Sequence, residues 1–156
     1  MARIINPQDL QAHLPKLISA KKQISHMAID LTVHKIFRPR KCGQLDFGGS
    51  EFQPAEWKVL PPIKESADAA YGWWELSNDV YLIQFNETLQ LGDRELGLIQ
   101  AHPRLIETGC VLTPQLVKSL RQDVLLPLVA PKSGVRIKEN ARIAQLIVLE
   151  LDEIPG

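Results

Sequence analysis

The segment VRIKENARIAQLIVLE, residues 135–150, holds two apolar runs joined by Lys138-Glu139-Asn140. The polar trio reads as a turn, so the segment predicts two strands, the second apolar on both faces. Gln145 falls inside that second run. An amide buried there and left unpaired costs about 1–3 kcal/mol. It must therefore bond to backbone, or be offered to a ligand or a neighbouring subunit.

Upstream, the same texture repeats. DVYLIQF (79–85), ELGLIQA (95–101), GCVLT (109–113) and VLLPLVA (124–130) are short apolar runs, separated by turn-like residues such as Asn86, Gly92-Asp93, Gly109 and Ser133-Gly134. Runs this short and this closely spaced predict an all-β barrel or sandwich. TPQLVKSL (113–120) fits either a helical turn or a poor strand. Residues 51–79 contain WKVL and YGWWEL on either side of Pro61-Pro62, which predicts two strands around a loop. In QISHMAIDLTVHKIF (23–37), Met27, Ile29, Leu31 and Val33 alternate with His26, Ala28, Asp30, Thr32 and His34. That period of two predicts a half-buried strand with one polar face. The glycines and prolines of RPRKCGQLDFGGS (38–50) predict irregular chain. At the start, Asn6 before Pro7, with Asp9 in the first turn, predicts a short helix over 7–13, which Pro15 would stop. The expected organisation is one domain over residues 1–156, with a helical segment in 1–20 and a β core in 24–150.

Eighteen basic and eighteen acidic residues leave no net charge. This balance argues against broad electrostatic binding of nucleic acid or an anionic membrane, although a small anion needs only two or three local cations. No apolar run reaches the 18 or so residues of a membrane span, and MARIINPQDL has no signal-peptide core. Cys42 and Cys110 are too far apart in sequence to be a metal-type pair. A cytoplasmic protein with reduced thiols is expected. His26 and His34 flank Asp30 at four residues on either side, a spacing of about 13 Å along a strand. They cannot share one metal ion, so no metal site is expected.

ARIAQLIVLE (141–150) resembles the closing motif of the dUTPase and dCTP deaminase superfamily, in which R-I-A/G-Q-L follows a turn. MAIDLTV (27–33) is similar to the family's first motif, and YLIQFNETLQLGDRELGLIQ (81–100) to the strand pair leading into its second. NPQDLQAHL resembles the short opening helix of the dCTP deaminases and their archaeal relatives. Together these pieces cover about half the chain. The resemblance implies an all-β, distorted jelly-roll or β-clip barrel with a short N-terminal helix. It further implies a homotrimer with active sites between subunits, a pyrimidine deoxynucleotide as ligand, and magnesium only where a triphosphate is bound.

The resemblance also marks departures. HPRLIETG (102–109) falls where the family carries R-S-S-L-x-R-x-G; Leu105 and Gly109 match, but His102, Pro103, Arg104 and Glu107 do not. Pro103 removes a backbone donor, and Glu107 places a negative charge where a cation would stand. Arg104 restores one cation, and His102 adds a part-time one near neutral pH. In TPQLVKSLRQD (113–123), Lys118 occupies the place of the dUTPases' water-orienting aspartate, and Asp123 is the nearby acid. The expected catalytic candidates are therefore Asp30 and Asp123, and the substrate-binding candidates His102, Arg104, Gly109 and Gln145. Loss of a positioned base costs a factor of about 10²–10⁴ in rate. The functional expectation is a superfamily protein that binds pyrimidine deoxynucleotides weakly, with lost or reduced catalysis. The alternatives are an active dUTP diphosphatase or dCTP deaminase with relocated groups, and a non-enzymatic oligomeric scaffold. Trp57, Trp73 and Trp74 are read as packing residues and RPRK (38–41) as a solvated loop.

Overall fold

Two long strands organise the molecule: they pair with each other, and four further strands hydrogen-bond to one or the other. The computed structural model describes residues 1–152; residues 153–156, the end of the expected domain, lie outside the described residues. In chain order the elements begin with β1 (Ala2–Ile4), α1 (Pro7–Leu10) with a 3-10 turn at Gln11–His13, α2 (Ala20–Gln23), β2 (Ile29–Lys41), β3 (Glu56–Leu60) and β4 (Trp73–Leu76). Then come β5 (Val80–Phe85), β6 (Leu89–Gln90), β7 (Glu95–Ala101), α3 (Pro103–Glu107), β8 (Val111–Leu112) and β9 (Gln115–Val117). The chain closes with β10 (Ser119–Leu120), β11 (Leu125–Val129), β12 (Val135–Lys138) and β13 (Arg142–Leu151).

The main sheet runs β8-β11-β5-β2-β13-β7-β9, with β1 added to β13 and β3 to β2. All pairings are antiparallel. β2 changes partners along its length: Ile29–Thr32 lie against β13, Val33–Phe37 against β5, and Ile36–Lys41 against β3. The register slips between Val33 and Lys35 and between Arg142 and Ala144. Such irregularities increase the local twist and bend the strand, and here they let one sheet curl into the jelly-roll type of barrel. Two separate two-stranded ribbons, β10–β6 and β12–β4, complete the strand pairings.

The core is the inward face of these strands, with Ile29, Leu31, Ile36, Ile83, Ile99, Leu126, Leu128 and Leu146 all 1% exposed or less. Packing is tight around Gly97 of β7: a Cβ there would meet Val117 Cγ2 at 2.9 Å and Leu146 Cδ1 at 3.0 Å. The opening helix starts as expected, with Asn6 Oδ1 accepting from the Gln8 N–H at 3.1 Å.

Several expectations need correction. β2 is not half-buried over its first half: Ala28 to Val33 are all buried, because α2 and α3 cover the polar face carrying Asp30 and Thr32. The strand also continues through RPRK, held there by pairing with β3. TPQLVKSL, open between a helical turn and a poor strand, takes the strand alternative and supplies β9 and β10. β1 and α2 lie where no strand or second helix was expected.

Candidate functional site

Asp30, Gln145 and Gln100 stand in one cross-strand row, since Gln145 of β13 is paired with Asp30 of β2 on one side and Gln100 of β7 on the other. Asp30 is 6% exposed. Its Oδ1 accepts from Gln145 Nε2 at 3.2 Å. Its Oδ2 accepts from Arg142 Nη1 at 3.1 Å and lies 3.3 Å from His102 Nε2. Arg142 Nη1 also donates to the Lys22 carbonyl at 2.9 Å, tying α2 into the cluster. The slip in register between Arg142 and Ala144 lets both Arg142 and Gln145 reach the same carboxylate.

His102 caps α3. Its Nδ1 accepts the Arg104 backbone N–H at 3.1 Å, so the ring proton of the neutral imidazole sits on Nε2, facing Asp30. Pro103 follows at the first helical position, where no N–H is needed. Leu105 packs into the core, and Gly109, at φ 84°, ends the helix in a left-handed conformation. The stretch read from sequence as a departure from a phosphate-gripping motif is thus a helix whose first turn is closed by its own imidazole. Neither ring nitrogen of His102 is left to take a proton from water.

A second carboxylate lies on the other side of Thr32. Glu87, 1% exposed, accepts the Thr32 N–H at 2.6 Å on Oε1 and 3.1 Å on Oε2. The Thr32 hydroxyl is 2.6 Å from Oε1 and accepts in turn from Asn86 Nδ2 at 2.9 Å. Gln23 Nε2 bridges the two regions, donating to the Asp30 carbonyl at 2.9 Å and to Glu87 Oε1 at 3.2 Å. Burial outweighs these donors and pushes the Glu87 carboxyl up to about 7.

Of the residues singled out from sequence, Asp30, His102 and Gln145 meet in one cluster. Arg104 joins it through its backbone N–H, and Gly109 closes the helix that presents it. Asp123 is elsewhere, in the exposed turn between β10 and β11, with Oδ1 3.5 Å from Arg121 Nε. Lys118 is exposed and reaches the Asp93 and Glu95 carbonyls at 3.4 Å. Sequence reasoning missed Arg142, whose only signal was its place at the head of RIAQL, and the Glu87–Thr32–Gln23 network. A lone glutamate between two strands carries no sign of burial. Among the described residues, no group of three or more His, Cys, Asp or Glu side chains is placed to hold a metal ion. Asp30 is already engaged by Arg142 and Gln145, with His102 Nε2 3.3 Å away, so the cluster does not fit a directly coordinated cation.

An antiparallel sheet curled in this way, with carboxylate, arginine and glutamine meeting beside a short helix, defines a β-clip protein of the dUTPase type. Sequence relatives and fold both support a likeness to the dUTPase and dCTP deaminase superfamily. It is 28% identical over 137 residues to a probable deoxyuridine 5'-triphosphate nucleotidohydrolase of Archaeoglobus fulgidus, covering 86% of this chain and 76% of that protein. It is 26% identical over 142 residues to the protein of the same name in Methanosarcina mazei, covering 89% and 79%. Among solved structures, the fold matches the 2'-deoxycytidine 5'-triphosphate deaminase of Agrobacterium tumefaciens with a TM-score of 0.66 at 12% identity. That match covers 96% of this chain but 48% of the deaminase, so the chain spans about half the length of that relative. No protein-family model matches the chain.

Proposed function

We propose that this chain is a dUTPase-like domain that binds a pyrimidine deoxynucleotide beside α3 and β13, with catalysis lost or much reduced. The observation that carries this reading is the closure of the cluster on itself. Asp30 accepts from Arg142 and Gln145 and lies 3.3 Å from His102 Nε2, and the first turn of α3 is filled by the His102 ring. A buried carboxylate tied to an arginine and an amide is a poor base, and a ring nitrogen engaged as a helix cap cannot serve as one. The pyrimidine deoxynucleotide class is supported by the sequence relatives, which carry a dUTP-cleaving name. Gln145 and Arg142, both partly exposed, are the cluster groups that can still meet a ligand. Magnesium, which keeps several waters and favours substrate phosphates, would arrive on a triphosphate rather than on protein ligands.

The homotrimer reading has support from one sheet face. Outward on β3, β2, β5 and β11, Val59, Phe37, Leu82 and Pro127 stand in one row, and Val80, Val129 and Val111 in the next. Val59, Val80, Val111 and Val129 are 38–60% exposed. Such a contiguous apolar face fits burial against other copies of the chain. Two free thiols, Cys42 exposed and Cys110 buried, fit a reducing, cytoplasmic setting. No helix among the described residues is long and apolar enough to cross a membrane.

The test is a thermal-shift panel of deoxynucleoside mono-, di- and triphosphates, with and without magnesium. The reading expects stabilisation confined to pyrimidine compounds, reaching about 2.7 kcal/mol at a hundredfold excess over Kd. A flat panel, or equal response to purines, refutes it.

A further inference from the structure

Beyond Phe37, β2 pairs with β3 alone, and the two strands run on as a ribbon whose ends residues 42–55 join. Arg38 and Lys58 stand directly opposite each other on it, both exposed. Exposed Arg40 sits at the slip in register between Pro39 and Lys41. With Pro39 and Trp57, these three cations line an open hollow of about 510 Å³. Like charges directly opposite across two strands destabilise the pair. Among the described residues, none of the three has a carboxylate partner to offset that repulsion. A bound anion would relieve it.

The far end of the ribbon is closed by its own hydrogen bonds. Gln44 and Gln53 exchange backbone bonds at 2.8 and 3.0 Å, and Gln44 Nε2 donates to the Glu51 carbonyl at 2.6 Å. Asp46 accepts the Gly49 N–H on Oδ1 and the Glu51 N–H on Oδ2, both at 3.1 Å, and Gly49 turns the chain at φ 85°. This frame holds large apolar side chains out in water. Phe47 is fully exposed, Leu45 is 86% exposed and Phe52 53%. Unpaired cations followed by presented aromatic rings on one ordered arm are what a nucleic-acid strand needs, phosphates for the first and base faces for the second.

We infer that the β2–β3 arm binds single-stranded nucleic acid, with Arg38, Arg40 and Lys58 on the phosphates and Phe47 and Phe52 stacking on unpaired bases. The balanced charge of the chain argues against binding over the whole surface, whereas this strip is local. A second copy of the chain is the less fitting occupant. Phe37 and Val59 point toward the outward apolar row, and by alternation Arg38 and Lys58 point the opposite way, so covering that row leaves the cations open. The inference does not rest on the pyrimidine reading.

The experiment follows fluorescence anisotropy of a labelled oligodeoxyadenylate of about 15 nucleotides, a length that spans the ribbon and its tip. A purine strand keeps the result independent of any pyrimidine pocket. Titrations with the full chain are repeated from about 20 to 200 mM salt. Wild type is compared with Arg38→Ser/Lys58→Ser, with Phe47→Ser, and with Lys132→Ser, an exposed cation away from the arm. Circular dichroism checks that each variant is folded. The inference expects saturable binding that weakens at least about tenfold in Arg38→Ser/Lys58→Ser, with the salt slope reduced by about 1.4 for two lost phosphate contacts. Phe47→Ser should weaken binding at least about fivefold with its salt slope unchanged, the mark of a lost stacking contact. Lys132→Ser should stay within about twofold. No saturable binding, or equal loss in Lys132→Ser, overturns the inference. Tighter binding of the same strand annealed to its complement also overturns it, since paired bases cannot stack on the tip. Sedimentation gives the remaining arm: if Phe47→Ser shrinks the assembly and leaves oligonucleotide binding unchanged, the tip is a contact between copies and the inference fails.

Discussion

Replacing Glu87 by glutamine should make the protein more stable at pH 8 than the wild type, while leaving the two close at pH 5. Glu87 is buried, and its carboxyl is raised from 4.5 to about 7. In the unfolded chain the group ionises near 4.5, whereas the folded protein retains the proton until about 7. The unfolded state therefore binds fewer protons between these values, and stability falls as pH rises through that window, levelling off above it. At about 1.4 kcal/mol per pH unit, the loss amounts to about 3 kcal/mol. Glutamine mimics the protonated acid. Its oxygen can accept the Thr32 N–H, and its amide can donate to the Thr32 hydroxyl, which already accepts from Asn86. The assay is urea denaturation followed by tryptophan fluorescence, which the buried Trp74 should report well, run from pH 4.5 to 8.5. The stability difference between Glu87→Gln and wild type should grow by about 3 kcal/mol in favour of the variant across that range. A difference that is flat with pH, or that grows in favour of wild type, refutes the reasoning. The second outcome would mean that the Thr32 and Gln23 donors outweigh burial and that the carboxylate is the native form.

Three further substitutions probe the fold and the cluster. Gly97→Ala should destabilise by about 1–3 kcal/mol in a thermal melt, because the new methyl meets Val117 and Leu146 in the packed core. Arg142→Met should cost about 3 kcal/mol by stranding the buried Asp30 carboxylate. Much of that loss should return in the Arg142→Met, Asp30→Asn double variant, as read by a double-mutant cycle. Val129→Lys places a charge in the middle of the outward valine row, so light scattering should find a smaller assembly while circular dichroism remains that of the folded chain.

The strands were readable where local chemistry and tertiary structure agree. β13 is apolar on both faces and is flanked by β7 on one side and by β2 and then β1 on the other. The Asn6-Pro7 start produces a helix because cap and preset φ act within a few residues. Reading fails where the decisive partner is remote. The polar face of β2 looks solvated in sequence, yet Asp30 is covered by His102 and Arg142, more than seventy residues further along the chain. RPRK remains a strand because β3 pairs with it, and nothing within the run signals that. The same holds at the candidate site. The RIAQL and IDL motifs are visible as pieces, but their meeting depends on a slip in strand register that leaves no mark in the sequence. His102 was legible as a departure from the family pattern. Its role as the cap of α3 depends on the ring orientation, which only the folded chain reveals.

The most direct test of the central claim is a single-turnover assay with enzyme in excess over radiolabelled dUTP and dCTP, measuring pyrophosphate and ammonia release with magnesium present. A cluster closed on itself predicts that any bound nucleotide is recovered intact, or is converted at least a hundredfold more slowly than by an active superfamily enzyme run alongside. Conversion at the rate of that enzyme, abolished by Asp30→Asn, would contradict the account, since it would mean that the carboxylate tied to Arg142 and Gln145 is working as the base.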